Sequence, residues 1–160
     1  MGASFDETIA FSDDELYGAA VNVRTNGLIE LIRDFADEAE ISVGKNGFPC
    51  IDAIIAGVSY KMSYFPVGDV DTDRFILVIR TSAFKDDDKD DISKMLVCES
   101  YNAASVMGYA IYLPLDGSIE YRISIAERGG LSDSEYYRYV FEMAENSIEE
   151  LVELLEENED

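Results

Sequence analysis

The sequence predicts an α+β domain in which helices pack on one face of an antiparallel sheet. Helical periodicity occurs near both ends of the chain, and period-two alternation rich in β-branched and aromatic residues lies between them. The acidic residues are also concentrated toward the ends, which indicates acidic helices around a nearly neutral sheet. We expect a single domain, 1–160, with its core over 25–155 and flexible ends at 1–11 and 158–160.

The first helix is predicted over residues 25–39. Its apolar residues follow the i, i+3, i+4, i+7 spacing of one helical face and are Leu28, Leu31, Ile32, Phe35 and Ala39. A shorter helical turn over residues 12–20 precedes it, with Ser12 as the N-cap.

Alternation predicts five strands, over residues 51–56, 58–65, 74–82, 108–113 and 118–126. Ala56-Gly57 forms the first hairpin, and Pro114-Leu115-Asp116-Gly117 forms the last one. Between these strand groups, Ile92, Met95 and Leu96 return to helical spacing and predict a middle helix.

The last helix begins at a capping box, in which Ser132 caps the helix and Glu135 reaches back. An apolar stripe then continues through Tyr137, Val140, Phe141, Ala144, Ile148, Leu151, Val152 and Leu155. A second capping-box pattern begins at Ser147, so the helix could either kink or end and begin again there. The predicted order is α-β-β-β-α-β-β-α around a five-stranded antiparallel sheet.

This order, over roughly residues 25–155, resembles the YbjN-like family of bacterial proteins, whose fold is similar to that of type III secretion chaperones. Locally the resemblance rests on Tyr101-Asn102, Leu115-Asp116-Gly117 and the segment 127–132. It implies a binding or regulatory role without a defined chemistry.

Composition removes several classes of function. Among 160 residues there are 34 acidic and 12 basic side chains and no histidine, so imidazole-dependent nucleophilic sites and HExxH zinc sites are excluded. A net charge of −22 repels nucleic acids and anionic lipid surfaces, and no apolar run approaches the roughly 20 residues of a membrane span. We expect a cytoplasmic protein that is not an enzyme, with Cys50 and Cys98 reduced.

No metal or cofactor site is predicted. Asp69, Asp71 and Asp73 resemble the start of an EF-hand loop, but Arg74 replaces the required glycine and Arg80 replaces the twelfth-position glutamate. The acidic run over 86–91 is typical of a helix N-terminus. A carboxylate-based, metal-dependent enzyme using Asp71 stays as a less favoured alternative.

The sheet face away from the helices is the predicted binding site. Alternation assigns one face to the core, with Tyr60, Met62, Tyr64, Phe75, Leu77, Ile79, Tyr109, Ile111, Leu113, Ile119, Tyr121, Ile123 and Ile125. The opposite face combines cations with apolar residues, and the expected partner-binding residues are Lys61, Phe65, Ile76, Val78, Arg80, Tyr112 and Arg122.

Two interpretations of that face stay open, a merely solvated sheet face and a surface for a protein or peptide. For the second we expect a chaperone-like or regulatory module that forms a homodimer. An acidic mimic that occupies a basic protein partner is the alternative.

Overall fold

Six antiparallel strands form one sheet, and three helices pack on one of its faces. The computed structural model describes residues 13–69, 73–84 and 89–157. Its elements are α1 (Asp13–Ile32), β1 (Glu38–Val43), β2 (Pro49–Ile55), β3 (Val58–Pro66), β4 (Arg74–Phe84), α2 (Asp91–Ala104), β5 (Tyr109–Leu113), β6 (Ser118–Arg128) and α3 (Ser134–Glu157). The strand order is β1-β2-β3-β4-β6-β5. The α+β class is confirmed, and the prediction of five strands is wrong by one.

The extra strand, β1, begins at Glu38, inside the end of the helix predicted over residues 25–39. Helix α1 ends at Ile32, whose carbonyl accepts hydrogen bonds from the N–H groups of Phe35 and Ala36 at 3.1 and 2.9 Å. The chain then pairs with β2 as the edge strand β1. At its other end, α1 begins at Asp13 and absorbs the separately predicted turn, while Ser12 lies outside the described residues.

The predicted hairpins are present. Ala56 and Gly57 have φ values of 51° and 79°, the left-handed conformation that a two-residue turn between twisted strands requires. In the last hairpin, the Gly117 N–H donates to the Leu113 carbonyl at 2.9 Å, and the Asp116 carboxylate accepts from the Ser118 N–H at 2.9 Å.

Helix α3 begins one residue later than the capping box predicts. Asp133, rather than Ser132, caps it, because the Asp133 carboxylate accepts from the Tyr136 N–H at 2.9 Å. The helix is continuous through Ser147, so the second capping pattern starts no new helix. Its predicted apolar stripe is confirmed, and all eight residues except Val152 are fully buried.

Helix α2 exposes the residues whose spacing predicted it. Ile92, Met95 and Leu96 face solvent. The buried face of the helix is the neighbouring stripe, which comprises Lys94, Val97, Cys98 and Tyr101. Lys94 reaches the hairpin between β5 and β6, where Nζ donates to the Gly117 carbonyl at 2.7 Å.

The side chains of strand β5 lie on the opposite faces of the sheet from those predicted. Ala110 and Tyr112 face the helices, while Tyr109, Ile111 and Leu113 lie on the other face. The side-chain amide of Asn102 on α2 fixes this arrangement, since it accepts from the Ala110 N–H at 2.7 Å and donates to the Ala110 carbonyl at 2.9 Å. These bonds also satisfy backbone groups at one edge of the sheet.

The core lies between the sheet and the three helices. The predicted core residues of β3, β4 and β6 are confirmed, with Ile125 partly buried and the others fully buried. Cys50 and Cys98 are both buried and unpaired. None of the described helices is long and apolar enough to cross a membrane.

Several predicted features lie wholly or partly outside the described residues. These are the terminal segments 1–11 and 158–160, the candidate ligand Asp71 in the EF-hand-like run, and much of the acidic run before α2.

Candidate functional site

The sheet face opposite the helices is uncovered by any described helix and is called the open face here. Six of the seven predicted partner-binding residues lie on it: Lys61 and Phe65 of β3, Ile76, Val78 and Arg80 of β4, and Arg122 of β6. Strand register therefore brings together most of the predicted site.

Tyr112 is the exception, and its assignment to this face is wrong. It pairs with Ile119, on the helix side of the sheet, and packs against the core. A hydrogen bond from Tyr112 to Asp91 at the start of α2 is the largest cause that raises the Tyr112 pKa to about 12. Its hydroxyl therefore belongs to the junction of β5 and α2.

One line of residues crosses the whole open face, with one residue from each strand. In spatial order this charged row is Glu40, Asp52, Lys61, Arg80, Arg122 and Tyr109. Two acids thus stand at one end, and three bases follow on successive strands. Neighbouring strands lie about 4.8 Å apart, so Asp52 and Arg80 are separated by about 10 Å.

Two of the three bases in the charged row have carboxylate partners within the chain. Lys61 Nζ lies 3.5 Å from Asp52, and Arg122 Nε donates to Glu120 at 3.0 Å. Arg80, which stands between these bases, forms no hydrogen bond or ion pair with another described residue. Its half-buried guanidinium is the uncompensated cation of the row.

Arg122 is held in place more firmly than Arg80. Burial lowers the Arg122 pKa, but the hydrogen bond and charge of Glu120, together with Tyr109, outweigh burial and raise it. Glu120 is itself buried. Arg122 therefore serves largely as scaffold, and Arg80 is the base free to meet an external carboxylate.

An apolar strip lies beside the charged row. Phe65 pairs with Ile76 across β3 and β4, and Val78 lies one position nearer the row. The Phe65 side chain is 43% exposed, while Ile76 and Val78 are half-buried. Small residues, Ser63, Ser124 and Ala126, flank the strip and leave room for an occupant.

A depression of about 800 Å³ lies on the open face, where β1, β2, β3 and β4 run side by side at the charged row. Members of the charged row line it, including Glu40, Asp52, Lys61 and Arg80. An occupant seated there would touch both the acids and the uncompensated cation.

The charge of the open face differs from that of the whole chain. Along its strands it carries four acids, Glu38, Glu40, Asp52 and Glu120, and five bases, Lys61, Arg74, Arg80, Arg122 and Arg128. These are five of the twelve bases of a protein whose net charge is −22. A protein surface can therefore approach this face without the like-charge repulsion that the rest of the molecule imposes.

A second polar cluster, which the sequence did not predict, is buried at the end of the sheet nearest Gly129. The Glu127 carboxylate accepts hydrogen bonds from the hydroxyls of Tyr64 and Tyr137, each at 2.7 Å, and forms an ion pair with Arg24. The Arg24 guanidinium also donates to the Gly129 carbonyl at 2.6 Å and lies 4.7 Å from the Phe75 ring centre.

This cluster joins elements rather than exposing a reactive group. Burial, followed by the charge of Glu127, strongly raises the Tyr64 pKa. Burial and the hydrogen bond to Glu127 raise the Tyr137 pKa to about 12. The sequence signal for this buried cluster is the position of Glu127, which follows Ile123 and Ile125 in the alternation of β6 and therefore faces the helices.

Metal chemistry has no candidate site in residues 13–69, 73–84 and 89–157, where no three metal-ligating side chains converge. Comparison with protein-family models, with curated proteins and with solved structures finds no match to this chain.

Proposed function

We propose that this protein is a non-enzymatic protein-binding module, chaperone-like or regulatory, that holds a polypeptide on the open face and its adjoining edges. The observation that carries the proposal is Arg80, an uncompensated guanidinium between two neutralised bases. Arginine binds carboxylates through a planar, bidentate arrangement, so the expected partner segment carries an acidic side chain.

The apolar strip supplies the second part of the surface. Phe65, Ile76 and Val78 lie together, whereas apolar side chains on an ordinary surface are mostly scattered singly. Aromatic residues and arginines are enriched among the residues that dominate binding energy at protein interfaces, and the open face carries both.

The two free cysteines support a reducing compartment, and we place the protein in the cytoplasm. Disulfides form and persist mainly in oxidising compartments. Cys98 is also an unreactive thiol, because burial raises its pKa.

The test is affinity capture from an extract of the native cells on three immobilised proteins: wild type, Arg80→Ala and Arg33→Ala. Arg33 is the matched control, since its removal changes the net charge equally but affects only an exposed ion pair with Glu30 on α1. We expect proteins that wild type and Arg33→Ala retain to bind Arg80→Ala about tenfold more weakly or worse.

Arg80→Ala should leave the free energy of unfolding within about 0.5 kcal/mol of wild type, because the Arg80 side chain forms no hydrogen bond or ion pair with another described residue. Equal retention by wild type and Arg80→Ala would show that the open face is scaffold.

A further inference from the structure

We infer that the open face is also the pairing surface for a second copy of this chain, in a register set by the charged row. The inference rests on the proposed function in one respect, since it assigns an occupant to the same face. It adds a regulatory consequence: self-pairing covers Arg80 and Phe65, so a polypeptide partner must compete with the second copy.

The charged row is self-complementary. Of the five strands β1, β2, β3, β4 and β6, the middle one is β3. A two-fold axis that runs along β3, between two facing sheets, places β2 of one copy over β4 of the other. Asp52 of one copy then faces Arg80 of the second copy, twice in the dimer, and Glu40 faces Arg122 in the same way.

A dimer about this axis gives the Arg80 guanidinium, which has no carboxylate partner among the described residues of its own chain, the Asp52 carboxylate of the second copy. Moving the axis from β3 to β4 would place Arg80 against its own copy and Lys61 against Arg122, which is unfavourable because like charges meet. With the axis on β3, the like-charged contact is Lys61 with Lys61, and each of these is already paired with Asp52.

The apolar strip fits the same axis. Phe65 lies on β3, so the two-fold operation brings the two Phe65 rings toward each other. Two sheets that face each other pack about 10 Å apart. The overlap of five strands spans about 19 Å across the sheet.

Net charge favours this face over other surfaces for pairing. Two copies that each carry −22 repel each other. The open face carries one positive charge in excess along its strands, and the acids and bases of the charged row are segregated in the order that a two-fold contact requires.

The test exchanges charges between the two contacting positions. Arg80→Glu places two acids opposite each other in a homodimer, and Asp52→Arg places two bases opposite each other. An equimolar mixture of the two variants, however, restores opposite charges at both contacts. Sedimentation equilibrium should show a wild-type dimer, a dissociation constant raised about 100-fold for each variant alone, and recovery in the mixture.

Arg33→Glu is the matched control, because it reverses one charge in the turn that follows α1 and should leave the dimer intact. Thermal unfolding followed by circular dichroism verifies the folding of each variant. Asp52 accepts a hydrogen bond from Ser42, so Asp52→Arg is the variant at risk. If it fails to fold, Glu40→Arg on the exposed edge strand tests the same register at its outer contact, because it places a base opposite Arg122 of the second copy and should likewise raise the dissociation constant.

A monomeric wild type, a variant that pairs as strongly as wild type, or a mixture that does not recover would each overturn the inference. These outcomes are separate from those of the capture experiment. A monomeric wild type that still retains partners through Arg80 overturns pairing alone. Recovery in the mixture, with partner capture indifferent to Arg80→Ala, overturns the polypeptide-binding proposal alone.

Discussion

Arg24 and Glu127 form a buried ion pair, in which Nη2 lies 3.1 Å from Oε1 and each side chain is only 8% exposed. The two residues are far apart in the chain, and Tyr64 and Tyr137 bind the same carboxylate. Through this one group α1, β3, β6 and α3 are joined at one end of the sheet. The open face is thus built on a sheet whose register is held from the opposite side.

Removal of this carboxylate should destabilise the protein strongly. Glu127→Gln leaves Arg24 as an uncompensated buried charge, and such losses cost about 3–5 kcal/mol. The control is Glu30→Gln, which removes an exposed partner of Arg33 and should cost less than about 1 kcal/mol. Urea unfolding measures both values. Equal losses for the two variants would show that the buried pair contributes no more than a surface pair.

The tyrosines around Glu127 predict alkaline sensitivity. The Tyr137 pKa is raised from 10.0 to about 12, chiefly by burial and then by its hydrogen bond to Glu127. Between these pH values the unfolded chain has lost a proton that the folded chain retains, so rising pH favours unfolding. The stability present below pH 10 should therefore decline up to about pH 12.

The measurement is the free energy of unfolding in urea across that pH range. Tyr137→Phe removes the ionisable group and should make the free energy of unfolding fall less steeply with pH. Tyr139→Phe, at an exposed position of the same helix, should leave this slope unchanged. An identical slope for wild type and Tyr137→Phe would refute this explanation.

Two glycines with the same backbone conformation should respond differently to alanine. Gly108 and Gly129 have φ values of 72° and 77°. A Cβ atom at Gly108 would collide with the side chain of Tyr121, while one at Gly129 would meet open space. Gly129→Ala should cost about 1 kcal/mol, and Gly108→Ala at least about 2 kcal/mol more. Thermal unfolding compares them, and equal costs would rule out close packing as the reason for Gly108.

The open face was largely predictable from the sequence, because β3 and β6 alternate cleanly and Arg74 and Arg80 mark the solvent side of the apolar run in β4. In β5 the sequence Tyr-Ala-Ile-Tyr-Leu is apolar at every position, so alternation cannot tell which side is buried. Asn102 decides the orientation through its bonds to Ala110, and a contact between distant elements leaves no periodic signal.

Strand β1 and the buried face of α2 were missed for related reasons. Phe35 and Ala39 continue the helical spacing of α1, and that spacing was extended over the start of β1 although Glu38–Val43 alternates polar and apolar residues. In α2 two adjacent stripes both have apolar residues, and tertiary packing selects the one with Val97 and Tyr101. The cluster around Glu127 depends on residues from four elements, which no local pattern can assemble.

The central claim is that a second copy of this chain covers the open face, and hydroxyl-radical footprinting at increasing protein concentration tests it most directly. Phe65 on that face is 43% exposed, and Tyr139 on α3 is 60% exposed on the helix side of the molecule. Oxidation of Phe65 should fall as concentration rises, while oxidation of Tyr139 stays constant. If Phe65 oxidation does not change with concentration, or if both residues become protected together, the open face is not the surface through which two copies of this protein pair.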